Sequence, residues 1–329
     1  MAKIFISAVI PMSGIEALQA AGYQPEMYQG PGLISQADLI AGVADAEVLI
    51  TPLSTKVDQT VIDQAPQLKL IANFGAGFNN IDVNYAAVKA IAVTNTPGVS
   101  TASTAEVTVG LILAVTHRIV EGDQVMRTTG FEGWAPCFFL GHELAGKTLG
   151  IIGMGAIGQA VAKRLHAFGM RIVYYQRQPL DVFTASKTDA TYLTLPELLK
   201  TADVVSLHAP LTAETTHLLG AEQLELMRPS TYLINAARGP LLDEKALLAR
   251  LKTKQLAGAA LDVYELEPQL TPGFAALKNV VLTPHIGNAT VEARDAMAKI
   301  VTTNAIAVLN GQAPQAVVNG VEAPVEPKD

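Results

Sequence analysis

Three charged side chains follow one another in the second half of the chain. They are Arg238 in Asn235-Ala236-Ala237-Arg238-Gly239, Glu267 in Asp262-Val263-Tyr264-Glu265-Leu266-Glu267-Pro268, and His285 in Pro284-His285-Ile286-Gly287. Each stands at or beyond the end of an apolar run that reads as a strand. Arginine presents a planar fork suited to a carboxylate. Histidine exchanges a proton near neutral pH, and a neighbouring Glu stabilises its charged form. Such a set could seat a small carboxylate, polarise a carbonyl beside it and move one proton. Taken singly, each residue has a plainer reading: His285 as a turn cap beside Pro284, Glu267 on a solvated loop, Arg238 paired with a structural carboxylate.

A second pattern changes that balance. The apolar run Leu149-Gly150-Ile151-Ile152 leads into Gly153-Met154-Gly155-Ala156-Ile157-Gly158 and then a helical stretch from Gln159 to Phe168. A lone GxGxxG is weak, but between strand and helix each glycine has a task. Gly153 permits the tight turn, Gly155 lets a pyrophosphate approach the backbone, and Gly158 lets the helix pack on the sheet. The helix N-terminus adds unpaired N–H groups and a favourable dipole for the anion. The next strand ends Tyr174-Tyr175-Gln176-Arg177-Gln178. A carboxylate at that end would bind the ribose 2'-hydroxyl of NAD. The neutral Gln176 beside the cationic Arg177 suits a 2'-phosphate instead, so NADP is the expected cofactor and NAD the alternative. Arg177 as a solvated surface residue remains open.

The elements that must carry these residues can be read from the rhythm of the chain. Apolar runs Lys3 to Val9, Ala46 to Thr51 and Leu70 to Asn73 alternate with helical stretches Ser13 to Ala21 and Gln59 to Ala65. A long helix is expected from Thr104 to Glu121. Further strands are expected at 148–152, 171–175, 204–207, 232–235, 258–262 and 280–282, and a closing helix at Thr290 to Leu309. Alternation of this kind builds parallel sheets from βαβ units. The expected fold is α/β with two doubly wound parallel-sheet domains. A discontinuous flavodoxin-like substrate domain spans 1–98 plus 287–329, and a Rossmann dinucleotide-binding domain (99–286) is inserted into it. The tail from Glu322 to Pro327 is expected to be mobile.

Composition removes several other classes. Half of the 329 residues are hydrophobic and 16% are charged, which suits a compact protein rather than a disordered one. The net charge of −7 opposes a nucleic-acid footprint. No apolar run approaches the roughly 20 residues that span a bilayer, so no membrane partner is expected. Cys137 is the single cysteine. It has no disulfide partner and no zinc-site spacing, so it reads as a small buried hydrophobe in a cytoplasmic protein without a metal.

The segments GIIGMGAIG, HAPLTAETTHLL, LINAARGPLLDEKAL, ALDVYELEP and LTPHIGNAT together resemble the D-isomer-specific 2-hydroxyacid dehydrogenase family over nearly the whole chain. The resemblance implies reduction of a 2-oxo acid to its D-2-hydroxy acid, with Arg238 binding substrate, His285 as acid/base and Glu267 as its partner. It also implies a substrate loop within Asn73 to Asp82, where N–H groups near Ala76 and Gly77 hold the carboxylate. Thr104, His208, Ala209, Pro210, Thr215, Ala236 and Asp262 match positions that line the cofactor, with Asn288 where a small hydroxyl residue is more usual. Tyr174-Tyr175-Gln176-Arg177 and Gly133-Trp134-Ala135-Pro136 resemble the glyoxylate and hydroxypyruvate reductase branch. There Trp134 would reach the substrate pocket of a homodimer partner, or simply anchor the dimer interface. Leu53, Phe74, Phe78, Trp134, Phe138 and Phe139 could instead line an apolar pocket for a bulkier 2-oxo acid. Oxidation of another small anion, as by formate or phosphite dehydrogenases, and a dinucleotide-sensing binding protein are the remaining alternatives.

Overall fold

The computed structural model describes residues 3–321; the tail expected to be mobile lies outside them. The first elements are β1 (Ile4–Ile6), α1 (Met12–Ala20), β2 (Glu26–Met27), α2 (Gln36–Val43), β3 (Val48–Pro52), α3 (Gln59–Asp63), β4 (Leu70–Phe74), α4 (Val83–Val88) and β5 (Ala92–Thr94). The inner strands are short apolar runs because parallel strands covered by helices are buried on both faces. Ile4 and Ile6 pack with α1, while Phe5 between them packs with α2, α3 and α4 on the other face. The helices α2, α3 and α4 start where Ser35, Asp58 and Asp82 accept a backbone N–H from the first turn. All pairings are parallel in the order β2-β1-β3-β4-β5, the flavodoxin-like arrangement.

The chain then forms α5 (Thr101–Thr116), α6 (Ile119–Thr128), β6 (Thr148–Ile152), α7 (Ala156–His166), β7 (Arg171–Tyr175), α8 (Val182–Thr188) and β8 (Ala190–Tyr192). After these come α9 (Leu195–Thr201), β9 (Val204–Leu207), α10 (Ala221–Glu225), β10 (Tyr232–Asn235), α11 (Glu244–Lys252), β11 (Gly258–Leu261) and β12 (Val280–Leu282). These strands are also all parallel, ordered β12-β11-β10-β9-β6-β7-β8. The order reverses between β6 and β9, the switch point at which open α/β sheets bind ligands beyond their carboxyl ends. Helices α5 and α7 cover one face and α9, α10 and α11 the other. The chain closes with α12 (Val291–Leu309), which packs beside α1 on the first sheet.

The chain divides into two compact units, Met1–Ser100 with Thr290–Asp329, and Thr101–Ala289. These limits fall two or three residues later than the expected 1–98 plus 287–329. Val99 packs on the core of the first unit. Gly287 is tied to the second: its carbonyl accepts the Ser103 hydroxyl at 2.8 Å, and its N–H donates to Asp262 at 2.8 Å.

One expected helix is two. The stretch read as Thr104 to Glu121 breaks at His117-Arg118, and α5 and α6 meet at 64°. Arg118 adopts a left-handed backbone (φ 58°), which ends any α-helix. Its guanidinium pairs with Glu121 at 2.9 Å and lies 4.1 Å from the Phe139 ring centroid. Helix α5 is half buried, whereas α6 buries no residue. A single left-handed residue leaves the apolar pattern unbroken, so periodicity did not reveal the bend. Cys137, expected inside, is exposed. No single helix among the described residues is long and apolar enough to cross a membrane.

Candidate active site

The chemistry-bearing residues of the second unit gather where its parallel strands end. At the β6 end, Gly153 takes φ +97°, and a Cβ there would sit 2.6 Å from the Ala209 nitrogen and 2.7 Å from the His208 carbonyl carbon. Only glycine fits both the turn and this approach. Gly158 is needed for packing, since a Cβ on it would lie 2.3 Å from the Gly153 oxygen. Gly155 is different, with nothing within 4 Å of its Cβ position. It is the N-cap of α7 and supplies no side-chain acceptor. The amides of Ala156, Ile157 and Gly158 therefore open α7 without a cap, beside open space. That donor set fits a dinucleotide pyrophosphate.

At the β7 end no carboxylate stands where a ribose would be read. Gln176 Oε1 accepts the Met154 N–H at 3.2 Å, and its Nε2 donates to the Gln178 carbonyl at 2.7 Å. Its amide thus ties β7 to the glycine turn. Arg177 is exposed and forms no ion pair among the described residues. Its charge reaches Glu214, whose carboxyl is lowered first by the Thr212 hydroxyl and lastly by Arg177. Beyond β9, His208 Nε2 contacts the Ser206 hydroxyl at 2.8 Å, and burial pushes its imidazole down to about 4, so it is neutral near pH 7. The Thr215 hydroxyl donates to the Pro210 carbonyl at 2.7 Å and accepts the Thr212 N–H at 2.7 Å. It shapes the loop that brings Ala209 against Gly153.

Beyond β10, the buried Asn235 folds the next turn onto itself: Oδ1 accepts the Ala237 N–H at 3.1 Å, and Nδ2 donates to the Arg238 carbonyl at 2.9 Å. Ala236, buried, closes the strand end. Arg238 Nη1 donates to the Ala237 carbonyl at 2.6 Å, and no carboxylate pairs with the guanidinium among the described residues. Burial lowers its pKa, opposed by the charge of Glu267. A cation held at such cost with most of its fork unused is poised for an anion. Gly239 follows because any Cβ would overlap the Tyr264 carbonyl, 1.9 Å from its carbon. The Arg238 turn is thereby pressed against the segment that carries Glu267.

His285 Nδ1 lies 2.6 Å from Glu267 Oε1. Burial works against the Glu267 charge, but the hydrogen bond and charge of His285, with a smaller contribution from Arg238, outweigh it and hold the carboxyl below its ordinary value. With Nδ1 engaged, Nε2 is the nitrogen left for a substrate oxygen. His285 itself has φ 54°, and the loop around it is held by Asp262. That wholly buried carboxylate accepts the Thr283 hydroxyl at 2.6 Å and the N–H groups of Ile286 and Gly287, each at 2.8 Å. Asp262, expected to line the cofactor, also shapes the His285 loop through these three bonds. Thr104, buried on α5, has its methyl 3.4 Å from the Gly287 Cβ position and so packs behind the same loop. Asn288 is half-buried beside it.

In the first unit, taken by itself, polar side chains shape the loop after β4. Wholly buried Asn73 donates Nδ2 to the carbonyls of Gly75 and Gly77, at 3.1 and 2.7 Å. Asn95 Nδ2 donates to the Ala76 carbonyl at 2.7 Å. With these three carbonyls held inward, the Ala76 and Gly77 N–H groups find no acceptor among the described residues. Such a pair suits a carboxylate. Leu53 packs on Gly75, its Cγ 2.8 Å from the Cβ position. Phe74 does not line a pocket, because it lies in the core under α1 and α12. Phe138 stacks on Phe131, with centroids 6.1 Å apart, and Phe139 carries Arg118, so both belong to the segment after α6. Trp134 in that segment is 83% exposed. Asn73, Asn95, Asn235, Tyr264 and Glu244 were not singled out from sequence. A polar residue at or near the end of an apolar run, or at a helix start for Glu244, was their only signal, and it does not say which group the side chain will meet.

The chain is similar to known proteins over nearly its whole length. The family model described as the D-isomer specific 2-hydroxyacid dehydrogenase NAD binding domain matches residues 109–287. A Staphylococcus haemolyticus protein, named only provisionally as a 2-hydroxyacid dehydrogenase, is 53% identical over 97% of this chain and 100% of its own. A crystal structure of a Thermus thermophilus protein superposes with a TM-score of 0.90 at 42% identity, covering 96% of this chain and 99% of the other. An NADPH-dependent glyoxylate/hydroxypyruvate reductase of Sinorhizobium meliloti, solved with NADP and malonate, gives 0.86 at 30% identity and covers 99% of each chain. A dinucleotide turn at β6 and an Arg–Glu–His set on β10 to β12, in a chain so like these over its whole length, place this protein in the D-isomer specific 2-hydroxyacid dehydrogenase family.

Proposed function

We propose that this NAD(P)-dependent oxidoreductase reduces a short 2-oxo acid of the glyoxylate or hydroxypyruvate type to the D-2-hydroxy acid, with NADPH preferred. The observation that carries the reading is the 2.6 Å contact between His285 and Glu267, with an unpaired Arg238 on the neighbouring strand end. Hydride transfer to the carbonyl carbon is the chemistry that a nicotinamide dinucleotide held at the β6–α7 turn would supply. Arg238 orients the substrate carboxylate and polarises the carbonyl, and His285 Nε2 delivers the proton to the carbonyl oxygen while Glu267 stabilises the imidazolium. Within the first unit, the Ala76 and Gly77 amides are a pair of donors suited to a carboxylate. The Sinorhizobium meliloti reductase, solved with NADP and malonate, supports both the short substrate and the cofactor.

The missing carboxylate at the β7 end and the unpaired Arg177 support NADPH. Turnover of a panel of 2-oxo acids with each cofactor should give higher kcat/KM with NADPH. Arg177→Ala should raise the KM for NADPH about tenfold and leave NADH nearly unaffected. Equal or better wild-type turnover with NADH would overturn the preference.

For Arg238, loss of the fork should cost on the order of a hundredfold in kcat/KM in Arg238→Ala, and Arg238→Lys should recover little because a point charge cannot replace bidentate geometry. A folded Arg238→Ala protein with near wild-type kcat/KM would make the residue structural.

Proton flow fixes a pH dependence. Reduction consumes the proton on His285, so it should fall on the alkaline side while oxidation of the hydroxy acid rises there. Because the Glu267 carboxyl is held below its ordinary value, it stays charged through mildly acid pH and should add no acid-side loss to reduction. In Glu267→Gln the alkaline fall should move to lower pH. An unmoved profile would break the pairing.

The protein is further proposed to be a homodimer. Helix α6 and the segment after it expose Ile119, Met126, Phe131, Trp134 and Leu140 together, each more than half accessible. Large apolar side chains exposed this closely along one stretch of chain suit an interface. Light scattering should give twice the chain mass, and Met126→Glu with Leu140→Glu should give a monomer. A monomeric wild type would remove the proposal.

A further inference from the structure

Glu267 sits on an irregular segment between β11 and β12, yet its carboxylate meets His285 within 2.6 Å. A loop holds such a contact only if its own base is fixed. Within it, the shorter stretch from Glu265 to Thr271 that carries Glu267 is tied at both ends to one buried side chain. Glu244, at the start of α11 and 1% exposed, accepts the Glu265 N–H at 2.8 Å through Oε1 and the Thr271 hydroxyl through Oε2. The grip is returned, since the Glu244 N–H donates to Glu265 Oε2 at 3.3 Å, and Glu265 Oε1 in turn meets His217 Nε2 at 2.7 Å. Between the two grips the Gln269 N–H donates to the Leu266 carbonyl at 2.9 Å, which narrows the loop with Glu267 inside it.

A carboxylate is an expensive means of closing a surface loop. Burial is the largest influence on Glu244 and raises its carboxyl, countered by Thr271 and the Glu265 N–H. A buried acceptor makes sense where geometry must be kept rather than merely closed. We propose that Glu244 is a positioning residue for the proton donor, holding Glu267 against His285 by gripping the Glu265–Thr271 segment at both ends. The inference rests on the functional reading above. The charged and titratable groups around this assembly are Glu265, His217 and Tyr264 beside Glu244, and Arg238 and Asp262 beside the His285–Glu267 pair.

The test compares wild type with Glu244→Gln, Thr271→Val, Glu267→Gln and the double variant Glu244→Gln/Glu267→Gln. Thr271→Val removes one grip without touching a charge and serves if Glu244→Gln fails to fold. In both Glu244→Gln and Thr271→Val, kcat for reduction at pH 8 should fall about tenfold, with cofactor KM within about twofold, as expected for a misplaced catalytic group. The alkaline fall of reduction should move to lower pH, as it does in Glu267→Gln. The double variant should move it no further than Glu267→Gln alone, because residues acting through one another are not additive. Ring signals of labelled histidine, with His285 assigned through His285→Ala, should show the same ordering with pH whether or not the protein turns over. A wild type that reduces no 2-oxo acid defeats the functional reading, and the ring signals then decide the inference alone. Variants that lose thermal stability but keep wild-type pH behaviour overturn it.

Discussion

Parallel pairing sets Asn235, Leu261 and Leu282 abreast at the ends of β10, β11 and β12, and the chemistry of the site depends on that register. Arg238 and His285 each follow three residues beyond their register position, and Glu267 six beyond its own. A slip of one residue between β11 and β12 would turn every side chain of the slipped strand to the opposite face. It would also carry His285 away from the Glu267 segment. The buried runs of Ala, Leu and Val that fill these strands are therefore functional in effect, although none of them meets a substrate.

Register alone brings the loops close without fixing their details. That work falls on polar side chains planted at strand ends or, for Glu244, at the start of α11, each spending hydrogen bonds on a neighbouring loop. Asn235 shapes the Arg238 turn, Asp262 the His285 loop and Glu244 the Glu267 loop. Asp262 and Glu244 are buried carboxylates. Their desolvation is offset only because backbone N–H and hydroxyl donors converge on them. Arg238 is the contrasting case, a half-buried cation whose fork is left open.

The cofactor side of the sheet follows a similar division. Among the described residues seven helices are capped by Ser35, Asp58, Asp82, Asp181, Thr194, Asp243 and Thr290, whereas α7, like α1 and α6, has no side-chain cap and opens with Gly155 and bare amides. The protein leaves uncapped the helix whose donors a pyrophosphate would use. Gln176 then serves twice, removing the negative charge from the β7 end and bracing the glycine turn through the Met154 N–H.

Much of this was legible in residue order. Buried parallel strands are continuous apolar runs, so β6, β7, β9, β10 and β12 stood out. The two- and three-residue edge strands β2 and β8 carry too few apolar residues to do so. Arg238, Glu267 and His285 were visible because each is a charged residue in the loop that follows a strand, and the spacing of Gly153, Gly155 and Gly158 is itself a packing requirement. The tertiary structure decided what depends on where distant backbone runs. It showed that Asp262 faces a loop, that Phe74 lies in a core, that Arg118 breaks a helix, and that Glu244 grips both ends of a segment more than twenty residues away. A side chain's hydrogen-bond partner is chosen by the three-dimensional path of the chain, and local sequence carries no record of that path.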